Sequence, residues 1–249
     1  MVGVILAAGN GTRFGSSSFC KVLNRINNIT LIELALNHLV QFGIHEAYIV
    51  VGKHADRISG ILGCEYSGIQ IHYVHQPKQL GLINALVQAL PFLPEGEDVC
   101  LQLADEVFFD LKTEAIKDSL AEMGFDVYCG ITIEENPEKI MQNYSVEVSG
   151  TSRITRCVEK PTSVPNNMKG TGMCFFRHST LQMLGQIYDT HTGAPCDLCD
   201  FLNYLIAAGR TVTALLVAEK EININTPADL EEAVAFGHKL REQKTKHHA

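Results

Sequence analysis

The 249-residue sequence has no apolar stretch long enough to span a bilayer, and no basic run followed by an apolar segment of the kind that opens a secretory leader. It is also short of positive charge. Lysine and arginine number 20 against 28 aspartates and glutamates, for a formal net charge of -8. That balance argues against nonspecific binding to nucleic acid, which needs a surplus of cations to face the phosphates. There is no internal repeat, low-complexity tract or Pro/Ser-rich linker, so nothing marks a boundary between two domains. The eight cysteines lie scattered in apolar segments such as Tyr128-Cys129-Gly130 and Met173-Cys174-Phe175, and read as reduced core residues of a cytoplasmic protein. Cys196-Asp197-Leu198-Cys199 is a lone C-x-x-C; without a second pair it is a weak metal or redox signal.

What is present is a large apolar fraction, 46%, enough for a sizeable core. One continuous domain over residues 1–241 is expected, with 242–249 as a polar, flexible tail. In the first half, apolar patterning predicts strands over 2–6, 47–51, 69–74, 98–103 and 127–133. Between them, helices are predicted over 30–42, 55–62, 84–90 and 113–123. Such alternation predicts an α/β fold with a mostly parallel sheet. The second half departs from it. Residues 144–148 and 154–158 flank Ser149-Gly150-Thr151 and predict a hairpin. Further strands are expected over 171–176 and 211–217, with helices over 179–188 and 197–208. A last helix starts at Pro227 with Thr226 as its N-cap.

The first strand runs into Leu6-Ala7-Ala8-Gly9-Asn10-Gly11-Thr12-Arg13, and Lys21 follows. Gly9 and Gly11 permit tight turns and close approach of a ligand to the backbone. Bare N–H groups in such a loop form an anion-binding concavity, to which Arg13 and Lys21 add charge. A dinucleotide fingerprint would need its third glycine one position before Gly15, and a phosphate-binding P-loop would need Gly-Lys-Ser/Thr; neither is present. Asp105 follows the strand over 98–103, at the end where open α/β sheets bind ligands, although an isolated aspartate there also suits a helix cap. Gln76 and Gly81, Glu159-Lys160-Pro161, and Glu221-Ile222-Asn223-Ile224-Asn225-Thr226-Pro227 complete the polar segments.

In order and spacing, these segments resemble the sugar-1-phosphate nucleotidyltransferases, the glucose-1-phosphate thymidylyltransferase-like NTP transferases, over nearly residues 2–235. The resemblance implies a single-domain, Rossmann-like nucleotidyltransferase fold of GT-A type, with a central mixed, mostly parallel sheet flanked by helices. It implies that Leu6, Ala7, Ala8, Gly9, Gly11, Thr12, Arg13, Gln76 and Gly81 bind the nucleotide. Tyr144, Ser145, Glu159, Lys160, Thr171, Gly172 and, more loosely, Asp197 would bind the sugar phosphate. Arg13, Lys21 and Asp105 would carry catalysis, and Asp105 and Asn223 would hold Mg²⁺. An amide oxygen at 223, where aspartate is usual, makes a weaker ligand than a carboxylate. Cys20, Gln79, Ala104, Ser145 and Asn225 are further departures from the family pattern.

The implied partners are a nucleoside triphosphate and a sugar-1-phosphate or similar phosphate. No nucleic acid or membrane is expected, and family members are often oligomers. The implied reaction is attack of the phosphate monoester on the α-phosphorus with loss of pyrophosphate. Three readings stay beside it: a cytidylyltransferase acting on phosphocholine or a phosphonate, a nucleotide-sugar-binding regulatory subunit without turnover, and a glycosyltransferase. The last commonly carries D-x-D, which Ala104-Asp105-Glu106-Val107 is not.

Overall fold

The computed structural model describes residues 1–9, 11, 14, 20–122, 124–150, 152–190 and 196–247, with side chains described except at 189–190 and 241–247. In chain order its elements begin β1 (Val2–Leu6), β2 (Arg25–Ile26), β3 (Ile29–Thr30), α1 (Leu31–Gln41), β4 (Glu46–Val51), α2 (Ala55–Leu62) and β5 (Glu65–Tyr66). They continue with β6 (Ile69–His75), α3 (Leu82–Ala89), β7 (Val99–Leu103), β8 (Glu106–Leu111), α4 (Thr113–Ala121), β9 (Val127–Ile133) and α5 (Pro137–Met141). The rest are β10 (Tyr144–Ser149), β11 (Arg153–Glu159), β12 (Met168–Phe176), α6 (His178–Leu181), α7 (Leu184–Thr190), α8 (Leu198–Ala207), β13 (Val212–Leu216), β14 (Ala218–Asn223) and α9 (Pro227–His247).

Strand β1 shows why the sequence folds this way. It is buried along most of its length, and its side chains alternate between two cores, the period of a pleated strand. Val2 and Val4 join the core with Leu86 of α3, Leu184 of α7 and Phe201 of α8. Ile5 joins the opposite core with Leu36 of α1, Ile58 of α2 and Ile116 of α4. Gly3 lets α1 come close, since a Cβ there would overlap the Leu39 side chain. Each fully buried aliphatic side chain of this kind contributes about 1.5–3 kcal/mol. Helix α1 is held at its start by a reciprocal capping box: Glu33 N donates to Thr30 Oγ1 at 3.3 Å and Thr30 N to Glu33 Oε2 at 2.7 Å.

The strands form a ten-stranded sheet in the order β10-β11-β13-β9-β12-β7-β1-β4-β6-β5. The expectation of a mostly parallel sheet needs correction. Strands β7, β1, β4 and β6 form a parallel block, and β13 pairs parallel with β9. The other pairings, including β12 with both β7 and β9, are antiparallel. A further contact between β10 and β12 closes β10, β11, β13, β9 and β12 into a five-stranded ring. The physical reason is connection length. Antiparallel neighbours such as β10 and β11 need only a hairpin, whereas a parallel neighbour needs a crossover.

Four smaller differences follow. The helix expected over 179–188 is split into α6 and α7, and the one expected from Asn84 starts at Leu82. Cys64 is exposed, unlike the other cysteines. Helix α9 runs to His247, into the stretch read as a tail. Among the described residues, no helix is long and apolar enough to cross a membrane.

Strands β8 and β14 were not apparent in the sequence. They pair antiparallel as a separate ribbon, with Asn223 opposite Glu106.

A candidate active site at the strand ends

Parallel pairing of β1 with β7 sets Leu6 beside Leu103, and Ala104 N donates to Leu6 O at 3.2 Å. The glycine loop after β1 and Asp105 after β7 therefore emerge side by side. They open onto a cavity of about 400 Å³ lined by Leu6, Ala8, Gly9, Gln76, Gln79, Gly81 and Asp105, among others. Ala7 points away into the core, and its N–H donates to Val50 O at 2.8 Å. Gly11 has φ +60, the left-handed conformation glycine adopts without strain. Thr12 and Arg13 lie outside the described residues.

Gln76 is buried at the end of β6. Its Nε2 donates to Asn84 Oδ1 at 2.8 Å and to Gly81 O at 3.3 Å, while Asn84 Nδ2 donates to Tyr188 OH at 2.7 Å. The amide N–H groups are thus committed inward, and the amide oxygen is what Gln76 has left for a ligand. Gln79 Nε2 donates to Ala8 O, which ties the segment before α3 to the glycine loop. Sequence reasoning noted Gln79 only as a departure; the structure puts it in the cavity wall.

Lys21 and Asp105 form an ion pair, with side chains 12% and 24% exposed. Lys21 sits in a 3-10 turn, Lys21–Leu23, whose Lys21 carbonyl accepts from Asn24 Nδ2 at 2.7 Å. Asn223 ends β14, and the following Ile224 N donates to Asp105 O at 2.8 Å, so the two segments are joined. Asn223 Nδ2 donates to Asn143 Oδ1 at 3.2 Å. Asn223 Oδ1 is buried with no hydrogen-bond partner among the described residues. A buried acceptor with nothing donating to it is costly, and an added cation or donor would relieve it.

A second cavity, about 260 Å³, shares Leu82 and Leu103 with the first. Tyr144, Glu159, Lys160, Gly172, Asp197 and Asn223 line it. Lys160 pairs with Glu159 at 2.9 Å, and its N–H donates to Asn143 O at 2.7 Å. Asp197 caps α8, accepting from Asp200 N at 3.0 Å, and burial pushes its carboxyl up from the ordinary aspartate value. Ser145 and Thr171 are not in this wall. Ser145 is fully buried, while Thr171 Oγ1 donates to Gly130 O at 3.0 Å and its carbonyl accepts from Tyr144 OH at 2.7 Å. Beyond Lys160 and Asn223 a third cavity, about 530 Å³, reaches Lys139, Glu221 and Asp229 near the start of α9.

Sequence reasoning gave no role to three buried charged residues in the cavity walls, Glu106 in the second and Lys169 and Glu221 in the third. Glu106 accepts from Gly172 N through both oxygens, at 2.9 and 2.7 Å, and Lys169 pairs with Glu221. Burial, and then the neighbouring Glu221 and Asp105, push the Glu106 carboxyl well up; burial also raises Glu221. Burial works against the Lys169 charge, yet Glu221 keeps its pKa raised. Their sequence signal was slight: a lysine flanked by Met168 and Gly170, and a glutamate beside Asp105. No group of three or more His, Cys, Asp or Glu fit to hold a metal occurs among the described residues.

Known proteins resemble this chain over most of its length. The chain is 27% identical over 236 residues to the UTP–glucose-1-phosphate uridylyltransferase AglF of Haloferax volcanii, covering 94% of this chain and 95% of that one. It is 26% identical to the bifunctional protein GlmU of a Geobacillus species, spanning 92% of this chain but half, 50%, of that protein. A solved UDP-glucose pyrophosphorylase complexed with UDP-glucose shares the fold, with a TM-score of 0.81 at 20% identity, covering 96% of this chain and 99% of that one. The model of the family described as nucleotidyl transferase matches residues 2–233, nearly the whole chain, and this protein is therefore a member of the nucleotidyl transferase family.

Proposed function

We propose that this enzyme joins a nucleoside triphosphate to a sugar-1-phosphate or a similar phosphate, releasing pyrophosphate and forming a nucleotide sugar. One observation carries the reading. The cavity beside the glycine loop and the cavity beside Lys160 share the wall Leu82 and Leu103, and Leu103 lies two residues before Asp105 of the Lys21–Asp105 pair. Two phosphorylated molecules bound in them meet at that wall. The names of the relatives favour glucose-1-phosphate or a related sugar phosphate as the acceptor.

The obstacle is repulsion between polyanions rather than a missing base. A phosphate monoester has its second pKa at roughly 6 and is already largely dianionic near neutrality. Catalysis then rests on positioning and charge neutralisation. The backbone of Gly9 and Gly11, with Arg13, holds the triphosphate. Gly81 and the Gln76 oxygen face the base. Lys21 leaves Asp105 for the α-phosphate and the incoming oxygen. Lys160 leaves Glu159 for the acceptor phosphate, which frees Glu159 to accept from sugar hydroxyls. The Asp105 carboxylate and the orphaned Asn223 oxygen are hard donors that suit Mg²⁺, which when bound would supply Lewis-acid charge to the phosphate oxygens.

The test is pyrophosphate release over a matrix of triphosphates and phosphate acceptors. Turnover is expected with a pyrimidine triphosphate and a sugar-1-phosphate. Turnover confined to phosphocholine or a phosphonate, or binding without any product, would replace this reading.

A further inference from the structure

The ribbon of β8 and β14 has Asp105 just before its first strand and Asn223 at the end of its second, yet it shares no ladder with the large sheet. Other contacts must hold it against β12, which supplies Gly170 and Gly172 to the second cavity. Two buried side chains do so. Glu106 of β8 takes the Gly172 N–H where β12 slips register against β9, between Gly170 and Cys174. The donor it satisfies is one that the slip takes out of the ladder. Lys169 of β12, 2% exposed, reaches to β14, where its Nζ pairs with the Glu221 carboxylate and also donates to Glu221 O at 3.1 Å.

A lysine that grips both the side chain and the main chain of one residue fixes a strand along its own axis. Apolar packing is non-directional and resists such sliding poorly. Glu221 stands two residues before Asn223, on the same face of β14. A slide of β14 therefore carries Asn223 with it.

We propose that Lys169 is a positioning residue for nucleotidyl transfer: it locks β14 to β12 and so sets where Asn223 stands relative to the acceptor cavity. The proposal rests on the reading of this groove as the transfer site. Lys169 acts through β14, because its Nζ is taken up by the Glu221 carboxylate and carbonyl.

The experiment uses the full-length protein. Lys169→Met alone leaves a buried carboxylate without its cation and is expected to lower the melting temperature sharply. The double variant Lys169→Met/Glu221→Gln removes both charges at similar volume and is expected to recover most of that loss. In the double variant, amide exchange over residues 218–224 should rise by about tenfold or more, with the parallel strands unchanged. Its kcat should fall by about 10- to 100-fold. Triphosphate binding without acceptor, measured by calorimetry, should stay within about twofold.

Unchanged exchange at 218–224 overturns the proposal, and so does a wild-type kcat in the folded double variant. Loss of triphosphate binding in step with kcat also overturns it, because that is general damage rather than positioning. If the wild type makes no nucleotide sugar in any arm of the matrix, the functional reading fails instead, and positioning for transfer fails with it. The exchange measurement then still reports whether Lys169 anchors β14.

Discussion

Lys21 and Asn223 show most clearly what single side chains contribute. The Lys21 ammonium is mostly buried against Asp105, a contact that a bound phosphate can compete for. Lys21→Ala is expected to reduce turnover by about 10²- to 10³-fold, the usual cost of removing one preorganised charge donor, in a protein that still melts cooperatively. Pyrophosphate release and a thermal melt on the same sample check both halves. At position 223 the buried amide oxygen lacks a partner among the described residues. Asn223→Asp would add a negative charge near Asp105, Glu106 and Glu221. In EDTA its melting temperature should fall below that of the wild type, and Mg²⁺ should raise it by more than it raises the wild type. Melts at matched ionic strength, with and without Mg²⁺, decide the point. Asp105 and Lys160 stood out in the sequence by their motifs, and both line cavities in the fold. That Thr171 and Ser145 are packed inward was not, because a strand's two faces cannot be told apart where both are buried.

At the scale of elements, the parallel block was legible because β1, β4 and β7 are apolar runs ending at glycines or polar turns, and α1 carries its capping box in the sequence. The ribbon was not. β14 reads Ala-Glu-Lys-Glu-Ile-Asn, a charged stretch by any apolar pattern. Its charges are satisfied inside the fold, Glu221 by Lys169 and Lys220 by Glu134 at 2.7 Å, pairings between segments remote in sequence. Strand β12 yields a further prediction. A Cβ on Gly170 would fall inside the Tyr144 ring. Gly170→Ala must displace that ring, which lines the second cavity, and should cost about 1–3 kcal/mol by denaturant unfolding. The KM for the acceptor should rise more than the KM for the triphosphate.

For the whole molecule, pH dependence follows from a histidine that lines none of the three cavities. His38 is buried in α1, edge-on to Phe108 and bonded through Nδ1 to Gln102 Nε2 at 2.7 Å. Burial pulls its pKa from 6.5 down to about 4, although the Gln102 bond opposes the change. The unfolded chain therefore takes up a proton between pH 6.5 and 4 that the folded chain refuses, and stability falls as pH falls through that window. The loss from this group should reach about 3 kcal/mol below pH 4 and be absent above pH 7. The buried glutamates act in the opposite sense, because their raised values favour folding as pH falls. Comparison with His38→Leu isolates the histidine. The variant leaves Gln102 unpaired at every pH, a constant offset, so only the difference in slope between pH 6.5 and 4 counts.

The closed ring at one end of the large sheet bears on how copies of the chain can stick together. A strand bonded on both sides offers no template to a newcomer. β10 is bonded along β11 and meets β12 at one pair, Ser145–Lys169, while at the opposite end β5 covers two residues of β6. Foreign backbone would add to this sheet most readily along the uncovered length of β6, because β12 already stands against β10.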